Sequence, residues 1–441
     1  MTDTNTSTSP QYSPATAPRY ARRETGLILV FALLGTLFDG AEINLVGYPM
    51  AYIADGLHVS TIQIVSIVTY QGFASIAGGF LFGWLGDAIG RRKTYAMCVL
   101  AFGLAALLGG FATDWTTFLL TRLLAGIGMG GLFGLSFSMF TECWTPRRRG
   151  AMGGAIQSMF FVGQIITVGV IFACVSALGR DAGWRAGYRL IGVVSLVVAV
   201  AAAFWLPESR HWAEYRRALA AGELPERLRP AKIPFSDLVR DGNARLFLTF
   251  SGIATATFVA SNAIGAYLST YLLKGQHLPF GRVTVIVLIG YVATILAYTA
   301  TGWASDVVSR RRAYLWASVV GTVGFAWFLV LVTSGSDHVS TRFWADQTFW
   351  ALVVCAAGFG GFGVMGVWMS EMFPTRLRAT GSNSTYYIGR GLGAGVFPLA
   401  ALGLAGTVPL ALGLGVIGPA LGLVLSLTAP DRTGRAIQSL E

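Results

Sequence analysis

Four ionisable side chains sit in long apolar surroundings: Asp39 and Glu42 in "LFDGAEINLVGYPM", Arg122 in "RLLAGIGMGG" and Arg390 in "NSTYYIGRGLGAG". A charge inside hydrocarbon costs roughly 2.5–3.5 kcal/mol on insertion scales, so such residues pair, face water-filled cavities and mark transport paths. Asp39 and Glu42 are three residues apart and share one helix face. Two acids this close repel, and poor solvation disfavours their charged forms. A group that takes up and gives back a proton is what a proton-driven step needs. Arg122 is a ready partner. An ion pair that breaks on protonation would couple proton to movement, and one that never breaks would only tie two helices together. Arg390 has no acid at comparable depth in the second half of the chain. Its planar fork suits a carboxylate, which a bound anion could supply. The other readings are snorkelling, or a pair with Asp39 or Glu42. Tyr386 and Tyr387 lie one turn before it and Asn383 about two turns, offering aromatic faces with polar tips. Gln157 and Gln164, seven apart on one face, could hold a hydroxyl or a carboxylate, or simply pack. Asn262, Tyr267, Tyr291 and Trp368 are weaker candidates for the same cavity.

These residues need helices that cross a bilayer. Of 441 residues, 54% are hydrophobic and 12% charged, half the charge of a usual soluble chain. Twelve runs are long enough to span about 30 Å of hydrocarbon. They fall at 27–50, 61–83, 94–113, 116–140, 150–173, 187–206, 245–272, 283–304, 313–334, 347–370, 379–402 and 405–428. The expectation is an all-α membrane protein of twelve transmembrane helices. Residues 1–26 read as a disordered tail, 27–206 as a first six-helix half, 207–244 as a charged linker with room for a short amphipathic helix, 245–428 as a second half and 429–441 as a tail. The net charge of +11 is concentrated in segments on one side, including Arg91–Lys93, Arg147–Arg149 and Arg310–Arg312. The positive-inside rule then places both termini in the cytoplasm, with the basic residues meeting lipid headgroups rather than nucleic acid. The four cysteines form no CxxC pair, so neither a disulfide nor a metal site is expected. With no P-loop lysine motif, HExxH or GxSxG, neither an enzyme nor a cofactor is expected.

The chain repeats itself. "GWLGDAIGRRKT" from Gly83 follows the second span and "GWASDVVSRRRA" from Gly302 follows the eighth, half a chain later. "TECWTPRRRGAMG" after the fourth span matches "SEMFPTRLRATG" after the tenth, pairing Glu142 with Glu371 and Arg149 with Arg378. A weaker pair, "LPES" and "APDR", ends each half. Three ordered matches indicate two duplicated halves. The glycines within Gly83 to Lys93 are expected to permit a tight interhelical turn, and Gly83 and Gly302 belong to the two gating loops. Asp87 and Asp306 could accept from helix N-termini or pair with arginines, latching the cytoplasmic ends. Arg91, Arg92 and Arg149 are the bases near Glu142, and Arg310 and Arg378 those near Glu371.

These motifs resemble the signatures of the major facilitator superfamily, in register with the span count. "RLLAGIGMGG", "ECWTPRRRG", "LPESRHW" and "APDRTGR" are similar to its proton-coupled sugar, sialate, lactate and aromatic-acid symporters, and "FDGAE" resembles the "DGxD" of the aromatic-acid branch. The resemblance implies two pseudo-symmetric bundles and a midplane site between them, in an inner-membrane protein acting as a monomer. The function it implies is proton-coupled uptake of a small organic anion, an aromatic or ring-derived carboxylate. In that cycle Asp39 or Glu42 takes a proton and loosens its hold on Arg122, the substrate neutralises Arg390, and the halves rock. A sugar or polyol symporter using Gln157, Gln164 and Asn262, an exporter, and a non-transporting sensor are the alternatives.

Overall fold

A computed structural model describes residues 20–224, 229, 235–240, 243–340 and 342–435. Twelve helices are long and apolar enough to cross a membrane: spans 1 to 12 at Arg22–Gly47, Ser66–Ile89, Arg91–Gly109, Trp115–Cys143, Pro146–Leu178, Arg180–Trp205, Asn243–Gly275, Phe280–Val307, Arg310–Thr333, Gln347–Met372, Thr375–Ala405 and Val408–Thr428. They form two six-helix bundles. Span 1 starts earlier than the sequence suggests. The Glu24 carboxylate caps it by accepting from the Ala21 amide at 2.8 Å, and Arg210 pairs with the same group at 2.8 Å. Residues 22–26 of the expected tail are therefore helical, and residues 1–19 lie outside the described residues. Large apolar side chains such as Val197, Leu296, Trp316 and Leu404 point outward. On a soluble protein that surface would aggregate; in a bilayer it meets acyl chains.

The bundles touch along two equivalent seams, span 2 against span 11 and span 5 against span 8. Glycines set the approach. A Cβ on Gly83 would lie 2.8 Å from Thr380 Cα, and one on Gly302 2.9 Å from Gly154 Cα. This corrects the placement of Gly83 and Gly302 in loops: both lie inside helices and serve the seam, while Gly90 of the same stretch makes the expected turn. The turns are single residues at positive φ, Gly90 at 114° between spans 2 and 3 and Ser309 at 129° between spans 8 and 9. The linker contains a helix, Arg210–Ala220, which buries His211, Tyr215 and Ala218. Span 11 changes at Gly391–Val396 to a wider π-helical turn, directly after Arg390.

Candidate functional site

Between the bundles lies a cavity of about 590 Å³ lined from both halves. Its wall includes Glu42 and Asn44 of span 1, Gln71 of span 2, Gln157 and Gln164 of span 5, Asn262 of span 7, Tyr291 of span 8, and Tyr386 and Arg390 of span 11. Gly47, Val68 and Ser269, also on the wall, are exposed at its mouth, away from the end where Tyr20 and Arg435 lie.

The two acids of span 1 take different partners. Glu42 bonds Arg122 Nη1 at 2.6 Å and accepts from Gln71 Nε2 at 2.9 Å, all through Oε1. Arg122 is fully buried, donates through Nη2 to the Ala105 carbonyl at 2.9 Å, and lies over the rings of Phe118 and Tyr188. That pair lies wholly within the first bundle. Asp39 instead pairs with Arg390 Nη1 at 2.6 Å, across the bundles. Of the readings open for Arg390, the structure shows the pair with an acid of the other half, and the acid is Asp39 rather than Glu42. The expected loosening of Asp39 from Arg122 is corrected with it.

Tyr386 stacks on Phe133 at 3.6 Å between ring centroids, which fixes the turn before Arg390. Gln164 receives the Asn44 amide at 3.3 Å, and Asn262 donates to the Phe258 carbonyl of its own helix at 2.9 Å. Four expected wall residues are not on the wall. Asn383 accepts from the Gly134 amide at 2.6 Å, and Tyr387 donates to the Met129 carbonyl, so both seal span 11 against span 4. Trp368 donates to the Pro430 carbonyl at 2.9 Å and packs against Phe250 and Tyr314, inside the second bundle. Tyr267 is likewise tied to Pro398. Gln71 and Asn44 were not among the expected residues. A polar residue within an apolar run was their only signal.

The opposite end of the cavity is closed by the duplicated motifs. Asp87 accepts from the Ala379 and Thr380 amides at 3.3 and 2.8 Å, capping the helix Arg378–Arg390 of the other half. Asp306 accepts from Gly150 and Ala151 at 2.8 Å each, capping the helix Arg149–Leu178. Glu142 pairs with Arg91 in its own bundle and with Arg378 across the seam. Glu371 pairs with Arg310 at 3.1 Å in its own bundle and with Arg149 at 3.6 Å across the seam. The expected short-range partners, Arg149 for Glu142 and Arg378 for Glu371, are thus exchanged between halves. Arg92 contributes its backbone amide, which meets Glu208 at 3.3 Å. Glu208 and Asp431, the matched acids of "LPES" and "APDR", cap spans 3 and 9 through the Arg91 and Arg311 amides at 2.9 and 3.0 Å.

The comparisons with known proteins agree with this architecture. A family model, Major Facilitator Superfamily, matches residues 32–398. The cis,cis-muconate transport protein of Acinetobacter baylyi is 26% identical, over 93% of this chain and 94% of that protein. The probable 4-methylmuconolactone transporter of Cupriavidus pinatubonensis is 27% identical, over 72% and 69%. The putative niacin/nicotinamide transporter NiaP of Bacillus subtilis is 25% identical, over 82% and 84%. Among solved structures, the proton:xylose symporter XylE bound to 6-bromo-6-deoxy-D-glucose matches 96% of this chain and 99% of that chain, with a TM-score of 0.77 at 16% identity.

Proposed function

The chain belongs to the major facilitator superfamily, and on that premise we propose that it is a proton-coupled carrier for uptake of a small organic anion, an aromatic or ring-derived carboxylate, across the inner membrane. Both termini lie in the cytoplasm, so the cavity mouth faces outward and the motif-bearing end is the closed cytoplasmic gate. The reading is supported by the name of one relative, a transport protein for muconate, which is a carboxylate.

The observation that carries the reading is the Arg390–Asp39 pair. Arg390 lines the cavity and its counter-ion belongs to the other half. Facing outward, a proton on Asp39 frees the guanidinium, and the substrate carboxylate takes its place. With both charges compensated, the halves rock about the midplane site. Facing inward, Asp39 gives up its proton, reclaims Arg390 and displaces the substrate. Proton and substrate thus compete for opposite members of one pair, which is how binding energy couples the two. Glu42 and Arg122 travel together within one bundle and hold it rigid. A second reading, a sugar or polyol symporter, draws on Gln157, Gln164 and Asn262 on the wall.

The test is uptake into proteoliposomes under an inward proton gradient, with aromatic and aliphatic carboxylates beside neutral sugars. Arg390→Ala is expected to cut carboxylate uptake by about two orders of magnitude, since truncating one member of a buried pair also strands the other. Asp39→Asn is expected to abolish accumulation driven by the gradient. Neutral-sugar flux that survives Arg390→Ala would promote the second reading.

A further inference from the structure

Two atoms of the cavity wall have no role in that cycle. Glu42 and Gln157 both line the cavity and are 0% and 1% exposed. Glu42 spends Oε1 on Arg122 and Gln71, while its Oε2 has no hydrogen-bond partner. Gln157 Oε1 has no partner either. Both orphans are acceptors. A buried acceptor left unpaired carries its full desolvation penalty, so it favours a ligand that brings a donor over one that brings an alkyl group or another acceptor.

The charges of the wall narrow the ligand further. Among the described residues, Arg390 is the one basic side chain lining the cavity and Glu42 the one acid. One carboxylate is matched by one cation. A second carboxylate would find no cation and would face Glu42. Gln157, Tyr386 and Arg390 line the same cavity, so the cation and this acceptor address one ligand.

We infer that the substrate is a ring monocarboxylate that also carries O–H or N–H donors, with Glu42 and Gln157 selecting for those donors. The inference rests on the proposed role of Arg390 as the carboxylate's partner. It separates this chain from carriers of donor-free dicarboxylates.

The experiment is calorimetric binding to the full chain in lipid nanodiscs. The probes are benzoate and its 4-hydroxy, 4-amino and 4-methoxy derivatives, and the variants are Gln157→Leu, Gln157→Glu and Arg390→Ala. Wild type is expected to bind the hydroxy and amino acids at least about tenfold more tightly than benzoate or the methoxy acid. Gln157→Leu should compress that ratio to about twofold, and Gln157→Glu, which keeps an acceptor oxygen, should retain it. A methoxy acid that binds as well as the hydroxy acid, or a ratio unmoved by Gln157→Leu, would overturn the inference. If all four acids bind equally and Arg390→Ala loses them all, the donor requirement falls while the carboxylate reading stands. If none binds to wild type, both fall.

Discussion

At residue 390 the shape of the cation matters as much as its charge. A guanidinium can hold Asp39 through one nitrogen and turn its fork to a carboxylate; an ammonium is a compact point charge without that fork. Arg390→Lys is therefore expected to keep carboxylate transport but raise the half-saturating concentration about tenfold, read from uptake against substrate concentration. The neighbouring side chains teach a lesson about spacing. Tyr386 and Arg390 lie four apart on the cavity face, whereas Asn383 and Tyr387, also four apart, lie on the face turned to span 4. The sequence spacing sorts these residues into two faces correctly. It cannot say which face meets the cavity, because this stretch of span 11 is buried on almost every side. Asp39 and Glu42 were both open as partners of Arg390, but spacing could not choose between them, because sequence separation carries no information about a contact with a residue most of the chain away.

At the scale of elements, acids on helix ends organise the closed gate. Asp87 and Asp306 sit on the first-turn amides of a helix in the opposite bundle, where the helix dipole favours negative charge. Glu208 and Asp431 cap spans 3 and 9 within their own halves. Partial burial works to raise the Asp431 pKa, but hydrogen bonds from the side chains of Thr433 and Ser309 and from the Thr433 and Arg311 amides outweigh it and hold the carboxyl below its ordinary value. A lowered folded-state pKa gives stability that is present above the ordinary carboxylate pKa, about 3.9, and is lost only below it. The difference in thermal stability between wild type and Asp431→Asn is therefore expected to stay flat from about pH 8 to about pH 5. A difference that shrinks within that window would contradict the cap. The matched "LPES" and "APDR" were visible as a repeat, and so were all four motif acids. Their reach across the seam was not, because a duplicated motif reports ancestry and register but not which bundle supplies its partner.

At the scale of the molecule, twelve spans, their order and their duplication were legible because hydrocarbon thickness fixes their length and composition. The state was not legible. A cavity open at one end and a gate closed at the other are a property of packing between halves. Two accessibility measurements test it, in a background with the four native cysteines replaced. Val68→Cys, 45% exposed at the mouth, should react with a membrane-impermeant thiol reagent from outside, and more slowly with substrate and proton present. Ser305→Cys, fully buried in the seam beside Gly150, should be inert. Adding Glu142→Gln, which strands Arg91 and Arg378 at a cost of about 3–5 kcal/mol, should expose it to reagent from the cytoplasmic side.

The caps on spans 5 and 11 have a consequence for the way out. When the gate parts, Asp87 is pulled from the amides of Ala379 and Thr380, and Asp306 from those of Gly150 and Ala151. Two helix N-termini, each with its amide hydrogens bare and the positive end of its dipole exposed, then flank the newly opened passage. On the proposed cycle, a carboxylate displaced from Arg390 would leave along a path lined with weak anion sites. The bonds that keep the passage shut leave behind, once broken, an electrostatic chute for the cargo.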